Sequence, residues 1–385
     1  MIAPQPFYED RGTPIVLRRV LHAISQCGHD IDLITFPAGS NVVIDRLRIF
    51  RVATFLPIRN IPIGFSIKKV ILDVFLLPRI IRQMRRESYD CIHAVEEAAF
   101  VALIAARLYK IPLLYDMQSS LPEQLRTHRF FSFAPIYSVL LRLEKFLLRE
   151  VDFVACSVGL KDYIETVTPG KPIREWNYPI ADVDWDSVST DELELDLGIS
   201  ADSYVILYSG NFAPYQGVDQ LVKAIPQVLE DIPNAIFVFV GARNNEALPG
   251  LDSCRMSEAA VRVVARQPQE QMTKFLRVAD VVVSPRAPIE NLPLKIIDYM
   301  ASRKPIVATD SKSHRRVLGD DSALLVDHNP AAFAAAIVRL YNDPRLSEWL
   351  GKNAYRFALK KFGWTVFVEE IDNLYSDVRN TARTA

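Results

Sequence analysis

The stretch Ser284–Asp310, SPRAPIENLPLKIIDYMASRKPIVATD, decides how the rest of this chain is read. An apolar run, Val281-Val282-Val283, leads into Ser284-Pro285-Arg286. A carboxylate follows at Glu290, a helix-start signal at Asn291-Leu292-Pro293, and a second carboxylate at Asp298. Pro305–Asp310 then reads as a second buried strand. The order predicts a strand, a ligand-facing loop, a helix over 293–302 and another strand. Proline suits the first helical turn because its missing N–H would have no partner there anyway. The backbone amides around Leu294 and Lys295 are left pointing out of the helix end, where they and the dipole favour a phosphate. Lys295 adds a full positive charge to the same spot. Glu290 precedes the helix and Asp298 lies about two turns beyond it, so both suit the hydroxyl-rich parts of a sugar nucleotide better than its phosphates. A capped amphipathic helix with two solvated acids would read the same way.

Outward from this stretch the pattern alternates. Before it come strands at Tyr204–Ser209, Ala235–Val240 and Val261–Ala265, with helices over 217–231 and 269–277; after it comes a strand at Leu324–Val326. The N-terminal half repeats the scheme: helix Thr13–Gln26, strand Asp30–Phe36, helix Ile67–Arg86, strand Cys91–His93, helix Ala98–Tyr109, strand Pro112–Asp116, a helix over 135–149, and strand Val151–Cys156. Strands separated by helices imply right-handed crossovers and parallel sheets. A polar, acidic stretch between about 177 and 200 interrupts the alternation and marks a linker. The expected architecture is α/β, with two doubly wound Rossmann-like units: 1–178, a linker at 179–200, and 201–362. A closing helix covers about 364–379. Only Met1-Ile2-Ala3 precedes the first loop, so the first strand is either very short or begins before the recorded start; a natural chain starting several residues earlier is the expectation.

The segment around Glu290 resembles the donor-site signature of the retaining GT-B glycosyltransferases of family 4, a Glu-x7-Glu pattern with Asp298 in the second position. The resemblance implies two domains facing across a cleft, with 363–385 packing back on the N-terminal domain. It implies that Glu290 contacts the transferred sugar, that Asp298 holds the nucleotide ribose, and that Leu294, Lys295 and the neighbouring Asn291 bind the donor, helped by Arg286. Asn211, Gln216 and Gly217, in the run YSGNFAPYQG (Tyr208–Gly217), match further donor-binding positions. Related sequences often carry Arg and Lys at the first two of these; here both are uncharged, so the task of stabilising the departing diphosphate passes to Arg286 and Lys295. Gly12 matches a glycine of the first βα loop that lets the backbone approach donor and acceptor, although Gly12-Thr13-Pro14 also reads as a turn with Thr13 as N-cap. Asp116 and Gln118 follow a strand and are implied catalytic or acceptor-side residues. His93, with Glu96 and Glu97 beside it, forms another strand-end cluster and reads more readily as structural.

Composition sets the limits. At 385 residues, half of them hydrophobic, the chain is long for one core, and two domains follow. Cys27, Cys91, Cys156 and Cys254 are widely spaced with no C-x-x-C, which favours reduced thiols in the cytoplasm. The start has neither a basic n-region nor a long apolar core, so no secretory signal is expected. Metal motifs such as H-E-x-x-H and dinucleotide or P-loop glycine patterns do not occur, so neither metal nor cofactor is expected beyond a nucleotide-sugar co-substrate. Aromatic residues are not interleaved with basic ones, which argues against nucleic acid. Two basic amphipathic helices in the first half, with Phe130, Phe131 and Phe133 between them, suit peripheral contact with the inner face of a membrane and a lipid-linked acceptor; the alternative is that their apolar residues pack between domains. The expected function is retaining transfer of a sugar to an acceptor hydroxyl, in cell-surface or extracellular polysaccharide or glycolipid synthesis. A sugar-nucleotide epimerase of the same shape, or a catalytically idle binding subunit, stays open.

Overall fold

The computed structural model describes the chain except residues 10–11, 54–66, 126–132, 158, 177–178, 181–182, 186, 244–246, 251–259, 289–294 and 385. Two compact units emerge: Met1–Tyr178 with Thr365–Ala385, and Pro179–Trp364. Each is built on a parallel sheet.

In the first unit the order is β1 (Ile2–Ala3), α1 (Gly12–Gln26), β2 (Ile31–Thr35), β3 (Leu47–Arg51), α2 (Ile67–Met84), β4 (Ile92–Val95), α3 (Ala98–Tyr109), β5 (Leu113–Met117), α4 (Leu121–Leu125), α5 (Ala134–Glu150), β6 (Phe153–Ser157), α6 (Lys161–Val167) and β7 (Ile173–Trp176). The sheet runs β3-β2-β1-β4-β5-β6-β7, parallel throughout. β1, of two residues, lies between β2 and β4. α1 starts at Gly12, so Thr13 lies inside the first turn instead of capping it. β3 and β7 were not anticipated. They are edge strands of mixed polarity, LRIFR and IREW, and lack the continuous apolar run that marks a strand buried on both faces.

The second unit contains α7 (Asp191–Leu197), β8 (Tyr204–Ser209), α8 (Val218–Asp231), β9 (Ala235–Ala242), β10 (Val261–Ala265), α9 (Gln269–Val278), β11 (Val281–Ser284), α10 (Lys295–Ala301), β12 (Ile306–Thr309), α11 (Lys312–Arg315), β13 (Leu324–Val326), α12 (Pro330–Asn342) and α13 (Pro344–Phe362). Its sheet runs β10-β9-β8-β11-β12-β13, again parallel. The stretch 179–200 is not a bare connection. It carries α7, whose Leu197 is buried in the core of this unit, because the acids of DELELDL favour the helix start while Leu193 and Leu197 turn inward. α14 (Trp364–Thr384) closes the chain and, from Thr365 onward, belongs to the first unit.

In each sheet the strand order reverses once, between β1 and β4 and between β8 and β11. Loops leaving the carboxyl ends of the strands diverge at such a point and open a crevice for ligands.

Candidate functional site

At the switch point of the second unit, the loops after β8 and β11 bring two cations together. Lys295, at the start of α10, places Nζ 3.1 Å from Gln216 Oε1 and 4.0 Å from the centre of the Tyr208 ring. The Arg286 guanidinium, buried behind β11, lies over the Tyr215 ring at 5.3 Å, and its Nε has no partner among the described residues. Neither cation pairs with a described carboxylate. Burial, and secondly the charge of Arg286, pushes the Lys295 ammonium well below the usual lysine range. Burial likewise lowers Arg286. Among the described residues, these two desolvated, mutually repelling cations with aromatic faces behind them lack a compensating negative charge.

The backbone around the pair is built for close approach. Gly210 has φ +136°, and a Cβ there would sit 3.2 Å from Lys295 Nζ and 3.0 Å from the Tyr208 hydroxyl. Gly217 has φ +65°, and a Cβ there would run into the Pro285 carbonyl and the His328 ring. The first glycine leaves room for the ammonium, and the second lets the loop carrying Arg286 pack on the start of α8. Ala287 N–H also donates to the Tyr215 carbonyl at 3.0 Å, tying the two loops together. From α10, the Tyr299 hydroxyl accepts from Ser209 N–H at 2.8 Å and fixes the helix against the end of β8.

A buried histidine supports the Arg286 loop from behind. His314 Nδ1 is 2.8 Å from the Thr309 carbonyl, which can only accept, so Nδ1 carries the proton. Nε2 is then free to accept from Ser284 Oγ at 3.1 Å, two residues before Arg286. Burial, with Lys295 and Arg286 nearby, pushes His314 down to about 4, so it stays neutral beside the two cations.

Of the residues singled out in the sequence, Gln216, Gly217, Arg286 and Lys295 meet here. Asn211 stands at the same loop but serves the turn: its Oδ1 accepts from Ala213 N–H at 3.1 Å and its carbonyl accepts from the Tyr208 hydroxyl at 2.7 Å. Asp298 borders a small recess with Trp185, Met272, Thr273 and Leu276. Glu290, Asn291 and Leu294 lie outside the described residues. Tyr208, Tyr215, Ser284, Tyr299 and His314 escaped the sequence reading. Only the Ser311-Lys312-Ser313-His314 run after a strand hints at a polar cluster.

In the first unit, Asp116 is 1% exposed at the end of β5. Its Oδ2 is 3.6 Å from His93 Nε2 and 3.5 Å from Gln118 Nε2, while Oδ1 has no partner among the described residues. His93 Nδ1 meets the Tyr375 hydroxyl of α14 at 2.7 Å, and the ring stacks on Trp176, which fits the structural reading. Glu96 adopts φ +50° and its Oε1 accepts from Ser119 Oγ at 2.9 Å. Burial, then Glu97, pushes its carboxyl well above the ordinary range. Gly12 opens α1 and is not joined to this group by any described contact.

Two family models match in tandem: Glycosyltransferase Family 4 over residues 11–179 and Glycosyl transferases group 1 over residues 189–357. The chain belongs to the family 4 glycosyltransferases. Similar members of this family include the D-inositol 3-phosphate glycosyltransferase of Thermomonospora curvata, 29% identical over 203 residues (50% of this chain, 47% of the relative). That of Corynebacterium glutamicum is 24% identical over 319 residues, covering 76% of this chain and 74% of its own. The phosphatidyl-myo-inositol mannosyltransferase of Mycobacterium leprae is 25% identical over 211 residues (50% and 55%). The chain thus spans about half the length of most of these curated relatives. Among solved structures, sucrose-phosphate synthase from Thermosynechococcus elongatus superposes with a TM-score of 0.74 at 20% identity, covering 99% of both chains. Anabaena HepE in complex with UDP and glucose superposes at 0.69 with 17% identity, covering 97% and 99%. At these identities the likeness concerns the fold, which is GT-B.

Proposed function

We propose that this family 4 chain transfers a sugar from a nucleotide diphosphate donor to an acceptor hydroxyl, with retention at the anomeric carbon. The observation that carries the proposal is the desolvated Arg286–Lys295 pair at the β8/β11 switch point, matched to no described carboxylate. When the bond from the anomeric carbon to the diphosphate oxygen breaks, negative charge grows on the leaving group. Fixed cations aimed at that charge are worth more there than in water, and removing one such stabilising group typically slows turnover about 10²–10³-fold. The neutral Gln216 holds the Lys295 ammonium in place without cancelling its charge. The donor phosphate takes the acceptor proton, so no strong protein base is required and Gln118 can serve by hydrogen bonding alone. Glu290 orients the sugar, Asp298 the ribose, and Leu294 and Asn291 the diphosphate at the start of α10. Asp116 and Gln118, with the Gly12 loop, hold the acceptor, a sugar or a lipid-linked species. Charge neutralisation by Arg286 and Lys295 makes a metal unnecessary.

The relatives' names point to inositol-containing or lipid-linked acceptors, and the HepE complex makes a uridine donor the first to try. Synthesis of cell-surface polysaccharide or glycolipid, on the cytoplasmic side, is the setting proposed. A thermal-shift panel of UDP, GDP, ADP and dTDP and their sugars, in EDTA, tests the reading. A ligand at a hundred times its dissociation constant stabilises by about 2.7 kcal/mol, so one responding nucleotide is expected and silence across the panel removes the proposal.

A further inference from the structure

Two consecutive residues, Tyr215 and Gln216, each hold one of the two site cations, and neither does so with a charge. They lie in a single 3₁₀ turn, Pro214–Gln216, which Gly217 ends in the left-handed conformation. Proline fixes the entry to the turn, and the glycine leads into α8 without a Cβ to strike the Pro285 carbonyl. Gln216 reaches Lys295 with its side-chain carbonyl at 3.1 Å. Tyr215 reaches Arg286 with its ring, whose centre is 5.3 Å from the guanidinium carbon. The Tyr215 carbonyl accepts from Ala287 N–H at 3.0 Å, so the turn is pinned to the neighbour of the arginine that its ring meets.

Exposure separates the two partners. Arg286 is 8% exposed, whereas Tyr215 is 43% exposed. Tyr215 takes no part in the core that Tyr208 and Phe212 of the same segment fill. The face of an aromatic ring attracts a cation through its quadrupole, and the attraction strengthens once the cation is desolvated. Stacking on a ring orients the guanidinium fork as a carboxylate would, yet leaves its full positive charge for an anion.

We propose that Tyr215 is a positioning residue for the diphosphate site, its ring holding the Arg286 guanidinium toward the anion. The inference rests on the donor-site reading above and adds to it the residue that aims one of its cations. The ring acts through Arg286, so neither the phenolic hydroxyl nor a contact with the nucleotide is required. Tyr208 offers its ring to Lys295 in the same way at 4.0 Å, but it is fully buried, so substitution there would mix positioning with folding. At Tyr215 the two separate.

The test is calorimetric titration of the full chain with UDP, GDP, ADP and dTDP, and with the parent nucleoside of whichever binds the wild type. Tyr215→Ala and Tyr215→Leu, the second keeping bulk without a ring face, should each weaken the diphosphate at least about fivefold and leave the nucleoside unchanged. Tyr215→Phe should stay within about twofold of the wild type. In an Arg286→Ala background, loss of the ring should change affinity less than about twofold, because nothing is left for it to aim. Thermal midpoints should hold, since the side chain lies outside the core. A wild type that binds a diphosphate while Tyr215→Ala and Tyr215→Leu bind it equally well would overturn this inference and leave the donor-site reading standing. So would a loss that persists undiminished without Arg286, or a Tyr215→Phe variant as weak as Tyr215→Ala, which would make the hydroxyl the active group. A wild type that binds no diphosphate would remove both.

Discussion

Lys295 Nζ and Gln216 Oε1 lie 3.1 Å apart, joining the start of α10 to the loop before α8 through a hydrogen bond in which only one partner is charged. Gln216 therefore leaves the charge of the ammonium uncancelled for an incoming anion. Gln216→Glu, nearly isosteric, would turn the contact into an ion pair and repel a diphosphate. The variant is expected to fold at least as stably as the wild type, yet to bind nucleoside diphosphate at least about tenfold more weakly, a loss of about 1.4 kcal/mol. Urea unfolding and nucleotide titration, run side by side, check both halves.

Proton uptake should accompany binding. Burial and Arg286 hold Lys295 below the ordinary lysine range, and a bound diphosphate favours the charged form and raises it again. Between the free and bound values, binding takes up a proton, so affinity falls as pH rises through that window. Calorimetry in buffers of different ionisation enthalpy measures the uptake, and Lys295→Met should abolish it.

Gly217→Ala should destabilise the second unit by about 2–4 kcal/mol, combining a left-handed backbone with a steric clash. The added methyl meets the Pro285 carbonyl, and relieving that contact displaces Arg286. The same change at Gly28, where a Cβ would meet nothing within 4 Å, should cost only the backbone part. Chemical denaturation of the two variants separates the terms.

His314 ties stability to pH. Its folded value of about 4 lies below the ordinary value of 6.5, so between these the unfolded chain holds the extra proton. The stabilisation is complete above about pH 6.5 and is lost as pH falls towards 4, amounting to roughly 3 kcal/mol. His314→Gln should flatten that part of the profile. It should also weaken nucleotide binding, since the Ser284 contact that supports the Arg286 loop goes with it. A profile unchanged from the wild type would show that the imidazole is not held neutral.

The strands buried on both faces were legible because their letters are continuous: Val281–Ser284 and Ile306–Thr309 fall where the sequence places them. The edge strand β3 was not, since Arg48 and Arg51 break its apolar run, while their carboxylate and carbonyl partners come from β2 and the turn after it. The tandem helices α12 and α13 had no motif to draw attention to them. At the candidate site, Lys295 was readable from its place at a helix start, and Gln216, Gly217 and Arg286 through the family resemblance. The support was not: Ser284 and His314 lie 30 positions apart and meet only because the sheet sets β11 beside β12.

The central claim is that Arg286 and Lys295 hold the donor diphosphate. Titration calorimetry of the wild type, Lys295→Ala and Arg286→Ala with the responding nucleoside diphosphate, and with its parent nucleoside, tests it most directly. The account predicts that each substitution weakens the diphosphate at least about tenfold and leaves the nucleoside unchanged. Equal affinity of all three proteins for the diphosphate would contradict it.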